Sequence, residues 1–350
     1  MTELSREAVA GVDRSDLLAD ILAQPSHLRD ALWRVESAEL VPHDSPGGLV
    51  VAGMGGSAMG GALAAAALGD RASRPILPAR DYGPPSWTTP ETTVLCTSYS
   101  GETEETLGCY EAAGALGARR VVATTGGRLA DAARGEGVPV IPIPGGLQPR
   151  AAVAYLTVAA LEVAAICGAG PRLHTEIDVA AAHGEELAER WGADGNDDEE
   201  GPRALARELH GTTPVVAGAG LTASVAYRWK TQVNENAKIP CFAHQLPELD
   251  HNEIVGWEGA NELCPFSAVF LDDADLHPRL RRRIELTRAL VESRAAWTRV
   301  VSSLGETRTE RVFSLVLMGD LVSLYLAVLR GVDPTPVPLI DLLKSELAAA

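Results

Sequence analysis

The segment Leu49-Val-Val-Ala-Gly-Met-Gly-Gly-Ser-Ala-Met-Gly-Gly constrains this chain more than any other. Four apolar residues run into a turn of glycines, and an alanine-rich stretch of helical character follows. A continuous apolar run is the pattern of a strand covered on both faces. Glycines in the turn let the backbone pass close to a ligand, because no Cβ stands in the way. The helix behind them offers unpaired N–H groups and the positive end of its dipole, a setting for phosphate. The arrangement returns as Thr213-Pro-Val-Val-Ala-Gly-Ala-Gly-Leu-Thr-Ala-Ser. Strand, Val-Val-Ala-Gly, glycine turn and helix recur in that order, which reads as a degenerate internal repeat.

Apolar runs at 49–54, 75–79, 94–98, 120–125 and 138–143 predict strands. Helices are expected over 60–68, 102–116 and 129–134, and a long one over 151–167 leads out of the first unit. The second copy continues with strands at 267–271 and 298–302, a long helix over 309–329 and a short closing helix over 339–347. Asp333-Pro-Thr-Pro separates the last two. The alternation predicts an α/β protein of two doubly wound domains with mainly parallel sheets flanked by helices. The expected division is 1–170, carrying the phosphate loops, then 171–335, then a C-terminal helix, 336–350, packing back toward the active site. The acidic, glycine-rich stretch 191–202 predicts a solvated surface loop.

The 350 residues are 46% apolar, enough for two domains with real cores. A net charge of −17 repels nucleic acid and anionic membrane, so neither is expected as a partner. An anionic substrate must then be captured by local dipoles and a few cations. No run reads as transmembrane length, and the first residues carry no apolar signal core. The five cysteines form no CxxC pair, which fits reduced thiols in a cytoplasmic protein and predicts no metal site.

A second loop, Ser98-Tyr99-Ser100-Gly101-Glu102-Thr103, ends a strand and opens a helix. Ordinary N-capping explains one hydroxyl there, seldom three, so phosphate binding is expected. Glu102 is expected to point outward, away from an anion. Arg150, in Gln148-Pro149-Arg150, stands at a helix start against the dipole, a placement more easily tolerated when the guanidinium serves an anion. Asn234-Glu235-Asn236-Ala237-Lys238 closes the helix from Thr222, and Glu248-Leu249-Asp250-His251-Asn252-Glu253 sets a histidine among acids. A carboxylate and a histidine without a nucleophile elbow or a paired-histidine metal motif point to proton transfer. The rival reading is an NAD-dependent dehydrogenase. Gly53-Met-Gly-Gly-Ser-Ala satisfies G-x-G-x-x-A, and Asp81 stands where a ribose-binding acid would. Pro78, expected to interrupt the second strand, argues against it.

Taken together, Gly53-Met-Gly-Gly-Ser57, Ser98 to Thr103, Gln148-Pro-Arg150, Asn234 to Lys238 and His251-Asn-Glu resemble the bifunctional phosphoglucose/phosphomannose isomerase family, a branch of the SIS sugar isomerases. The match extends to Gly319-Asp320, Gly331-Val-Asp-Pro and Leu342-Leu-Lys344. The resemblance implies interconversion of glucose 6-phosphate or mannose 6-phosphate with fructose 6-phosphate by a metal-independent cis-enediol route, with no cofactor. It implies phosphate binding by Gly56, Ser57, Ser98, Ser100 and Thr103. It makes Glu235 the base, Arg150 the partner of the enediolate, and His251 and Lys344 the ring-opening pair. It further implies a homodimer in which His251 reaches in from the neighbouring subunit. Glu102 and the acidic insertion near Asp197 depart from the family pattern. The alternative on the same fold is a non-catalytic SIS-type sugar-phosphate-binding regulatory protein.

Overall fold

The computed structural model describes residues 4–195 and 199–349. Asn196, Asp197 and Asp198, the centre of the acidic loop, lie outside the described residues. Two parallel sheets hold the strands. The first contains β1 (Leu49–Ala52), β2 (Ile76–Ala79), β3 (Thr93–Ser98), β4 (Arg119–Thr124) and β5 (Val140–Pro142), in the order β2-β1-β3-β4-β5. The second contains β6 (Thr213–Gly218), β7 (Phe242–Gln245), β8 (Phe266–Asp272) and β9 (Trp297–Ser302), in the order β7-β6-β8-β9. Every pairing is parallel. The second order repeats the first with one strand fewer, so the internal repeat is a repeat of topology.

Residues β1 Leu49–Ala52 and β3 Thr93–Ser98 are buried throughout, which is why they read as unbroken apolar or small-residue runs. Pro78 does not interrupt its strand. It lies within β2, paired with Val51, and β2 is an edge strand, where a missing N–H is tolerated. β7 has no counterpart among the expected strands. Its Phe-Ala-His-Gln neither alternates nor runs apolar, and it too lies at an edge.

In a sheet of this order, ligands bind where the chain turns to opposite sides at the carboxyl ends of β1 and β3. Both glycine- and hydroxyl-bearing turns follow those two strands. The helix Val153–Ile166 packs against the helix Gly56–Leu68 behind the first turn and is buried almost all round.

The helix Arg308–Arg330 lies against elements of both halves, among them the helices His174–Trp191, Leu221–Gln232 and Gly56–Leu68. A capping box starts it: Glu310 N donates to Thr307 Oγ1 at 3.2 Å and Thr307 N to Glu310 Oε2 at 2.7 Å. Gly331, at φ 65°, ends it. With 23 residues it is long and apolar enough to cross a membrane, as is 149–166, which corrects the expectation that no run reaches that length. The apolar windows are 94% and 89% buried inside the protein, as core helices are. Within the long helix, a Cβ on Gly319 would come within 2.2 Å of Trp229 Nε1, so only glycine admits that indole, which donates to Leu315 O at 2.8 Å. Asp320, next in sequence, takes the neighbouring Arg228.

Candidate active site

The first turn brings two strand ends and a second loop together. A Cβ on Gly53 would fall 2.3 Å from Thr97 Oγ1, the hydroxyl that ties β1 to the turn through the carbonyls of Ala52 at 3.0 Å and Ser57 at 3.1 Å. Gly55 sits at φ 54°, ψ −127°, a conformation side chains avoid. A Cβ on Gly56 would lie 3.0 Å from Arg150 Cα and 3.2 Å from Pro149 O. The turn is therefore pressed against the segment that carries Arg150. Ser57, nearly buried, accepts a hydrogen bond from Tyr99 N at 3.3 Å across the gap to the second loop.

That second loop is braced by its own hydroxyls. Ser98 Oγ accepts from Gly101 N at 3.0 Å and lies 2.9 Å from Thr103 Oγ1. Ser100 is exposed, and its Oγ accepts from Glu102 N at 3.2 Å. The helix Glu104–Ala115 begins after Thr103. Glu102 does turn outward: its carboxylate accepts from Arg128 N and Arg128 Nε, both at 2.8 Å. These hydrogen bonds hold its carboxyl below the usual range.

Arg150 lies on the short 3-10 turn Pro149–Ala152 and is 3% exposed. Its side chain crosses to the second half of the molecule. There the helix Leu221–Gln232 continues as a π-turn, Val233–Ala237, ending at Lys238 with φ 57°. Such widened turns concentrate at functional sites, because the extra residue re-aims a side chain. Arg150 Nε donates to Asn236 Oδ1 at 2.7 Å, and Nη2 donates to Pro334 O at 2.8 Å and Thr335 O at 3.1 Å. Nη1 stands 3.6 Å from Glu235 Oε2. Burial lowers the Arg150 pKa, and the Glu235 carboxylate works against that shift. Lys238 Nζ donates to Glu235 O and, at 2.9 Å, to Pro334 O. Burial lowers the lysine, and the Arg150 charge pushes the same way.

Direct contacts therefore connect the second loop to Ser57, the first turn to Arg150, and Arg150 to Glu235. Gly56, Ser57, Ser98, Thr103, Arg150 and Glu235 form one continuous cluster, with Ser100 on its exposed rim. Among the described residues, no hydrogen bond or ion pair joins His251 or Lys344 to it. His251 ends the 3-10 turn Glu248–His251, and Lys344 lies on the helix Pro338–Ala349, both exposed. The link before that helix does return to the cluster, through the carbonyls of Pro334 and Thr335. The helix itself leaves Leu342, Leu343 and Leu347 more than half exposed.

Asp81 is exposed and accepts from the adjacent Tyr82 N at 2.7 Å. An apolar cavity of about 270 Å³, lined by Phe242, His244, Glu253, Trp257 and Leu263 among others, touches none of the cluster residues. Lys238, Arg228, Asp320 and the Pro334 carbonyl were given no role from sequence. Asp320 had a signal: a lone carboxylate inside an apolar helix must find a partner.

Comparison with known proteins gives the family. Residues 198–347 match the bacterial phospho-glucose isomerase C-terminal SIS domain. The bifunctional phosphoglucose/phosphomannose isomerase of Caldicellulosiruptor bescii is 38% identical over 302 residues, covering 86% of this chain and 89% of its own. That of Aquifex aeolicus is 32% identical over 90% of this chain and 94% of its own. A glucose-6-phosphate isomerase like protein from Thermus thermophilus superposes with a TM-score of 0.64 at 20% identity, over 99% of both chains, which shows the shared fold. With two matching sheets of SIS type and relatives aligned over most of its length, this chain belongs to the bifunctional phosphoglucose/phosphomannose isomerase family.

Proposed function

We propose that this protein interconverts fructose 6-phosphate with glucose 6-phosphate and mannose 6-phosphate by proton transfer between C1 and C2. The observation that carries the reading is the placement of Arg150 Nη1 3.6 Å from the Glu235 carboxylate, beside the turn bearing Ser57. Glu235 takes the proton from C2 of the open-chain aldose and returns it to C1, passing through a cis-enediol. Its side chain is 26% exposed, so it is both reachable and partly desolvated. Arg150 meets the oxyanion that develops as the proton leaves, a charge most strongly stabilised by donors already in place. The phosphate is held by N–H groups and hydroxyls of the turns at Gly56–Ser57 and Ser98–Thr103. A base and a fixed cation suffice for this chemistry, so no metal or other cofactor enters the scheme.

Ring opening is assigned to His251, reaching in from the neighbouring subunit of a homodimer, with Lys344 of the C-terminal helix joining it. Their exposure in the single chain, and the exposed leucines of the helix bearing Lys344, support that part. A reducing, cytoplasmic setting suits five free cysteines, and burial, which pushes the thiol of Cys109 up to about 11 and that of Cys241 up to about 12, keeps those two unreactive.

The test is a coupled assay of the purified protein with both hexose 6-phosphates, run with excess chelator. Formation of fructose 6-phosphate from each is expected. Binding of both sugars with no turnover would return the protein to the sensor reading.

A further inference from the structure

A closed circuit of buried hydrogen bonds surrounds Arg150. Its Nε donates to Asn236 Oδ1 at 2.7 Å, Asn236 Nδ2 to Ser323 Oγ at 2.9 Å, and Ser323 Oγ to Asp320 O at 2.7 Å. The Asp320 carboxylate accepts from Arg228 Nε at 3.0 Å and Nη2 at 2.6 Å. The same Nη2 donates to the carbonyl of Arg150 at 3.0 Å, which returns the path to its start. Gln24 Nε2 adds a further bond to Asp320 at 2.6 Å. Arg150, Arg228, Asn236, Asp320 and Ser323 are each at most 3% exposed.

A buried ion pair is a poor way to gain stability alone, because desolvation consumes most of its Coulomb attraction. This one has a second consequence. Arg228 grips the backbone of Arg150 while Asn236 grips its guanidinium, so root and tip of one side chain are held together. The guanidinium is a rigid fork. Protein oxygens take Nε and Nη2, and Nη1, the nitrogen nearest Glu235, makes no hydrogen bond among the described residues.

We propose that Asn236, Ser323, Asp320 and Arg228 are positioning residues that lock the Arg150 fork so that Nη1 is presented to the reacting oxygen beside Glu235. This deepens the isomerase reading and rests on it. A donor set in advance is worth far more than one that must reorganise, and a displacement of about 1 Å at such a group can lower a rate about 100-fold.

The experiment measures kcat and KM on fructose 6-phosphate for wild type, Asn236→Ala, Ser323→Ala, Arg150→Met and the double variant Asn236→Ala/Arg150→Met. In parallel, 15N-arginine labelling follows hydrogen exchange at the Arg150 side-chain Nε–H, assigned by its loss in Arg150→Met. The expected result is a kcat about 100-fold lower in Asn236→Ala and about 10-fold lower in Ser323→Ala, with KM within about twofold. Asn236→Ala should cost nothing further once Arg150 is gone, and exchange at Nε–H should quicken in both single variants. Ser323→Ala removes one hydroxyl from a helix and carries the test if Asn236→Ala fails to fold. Wild-type kcat in these variants, or an equal loss with and without Arg150, overturns the proposal. If the wild type turns over no hexose phosphate, it is the isomerase reading that fails. The circuit is then judged by exchange alone, and unchanged Nε–H exchange in both variants overturns it.

Discussion

The glycine turn after β1 and the glycine turn after β6 share a backbone and differ in what their hydroxyls face. Gly55 opens its helix at φ 54°, ψ −127°, and Gly220 opens its own at φ 56°, ψ −123°. Both follow the strand second in its sheet. Beyond Gly55, Ser57 Oγ meets Tyr99 N of the neighbouring loop, at a long 3.3 Å. Beyond Gly220, Thr222 Oγ1 accepts from Ala219 N at 2.9 Å and lies 3.1 Å from the carbonyls of both Ala219 and Leu271. The second hydroxyl is engaged in closing its own turn and tying it to β8. The first stands between two loops beside Arg150. A repeat can thus keep a backbone that the strand–helix connection demands while the hydroxyls beyond the two turns take different partners. The second copy contributes differently: its helix runs on into the π-turn that carries Glu235.

If the first copy binds and the second reacts, their variants should fail in different ways. The largest effect is expected at Glu235. Glu235→Gln keeps the shape and removes the base, so kcat should fall about 10²–10⁴-fold while KM and thermal midpoint stay near wild type. Steady-state kinetics decide it, and turnover at the wild-type rate would leave the division of labour without a chemical half. Ser57→Ala should do the opposite. Losing one hydrogen bond to a charged phosphate, about 1.5–3 kcal/mol, should raise KM with little change in kcat, measured on the same substrate.

The two turns can then be compared with each other. Thr222→Val leaves Ala219 N and Leu271 O short of a partner in a buried place, a loss of about 1–3 kcal/mol. It should lower the urea midpoint and leave KM alone, the mirror image of Ser57→Ala. Gly55→Ala and Gly220→Ala should each be destabilised by about 1–3 kcal/mol, since both backbones lie where a Cβ is disfavoured. Only Gly55→Ala should also weaken sugar-phosphate binding by calorimetry. Equal affinity losses in the two glycine variants would mean that the second turn had kept a ligand role.

The same contrast explains what could be read from sequence. Strands β1, β3, β4, β6 and β8 and the two glycine turns were legible because their signals are local: an apolar run, then residues that only a tight turn needs. The hydroxyls of the second loop lie on those local features, whereas the role expected of Glu235 comes from the resemblance of Asn234 to Lys238 to a family motif. β7 was missed because a four-residue edge strand needs no distinctive pattern. The buried circuit around Arg150 was missed for another reason. Arg150, the pair Arg228 and Asn236, and the pair Asp320 and Ser323 come from three separate segments, and nothing near any one of them in sequence names its partner. The helix Arg308–Arg330 lies where the sequence puts it, but the expectation that no run reaches membrane-spanning length fails at it. Its burial is a tertiary fact, set by the helices of both halves packed around it.

The smallest expected effect tests how the first copy keeps an acid near an anion site. Glu102 sets an acid in the second loop, yet its carboxylate is drawn away by Arg128, which contributes both a backbone and a side-chain N–H. Both partners are at least half exposed, so solvent and salt screen the pair. Glu102→Gln should therefore leave KM for fructose 6-phosphate within about twofold at physiological ionic strength, because a charge turned outward and neutralised is felt weakly at the turn. Were the carboxylate instead facing the phosphate, removing it would tighten binding clearly, and more so at low salt. A KM that drops in Glu102→Gln and drops further as salt is lowered would place Glu102 inside the anion site, and the second loop would then owe its selectivity to repulsion as well as to its N–H groups.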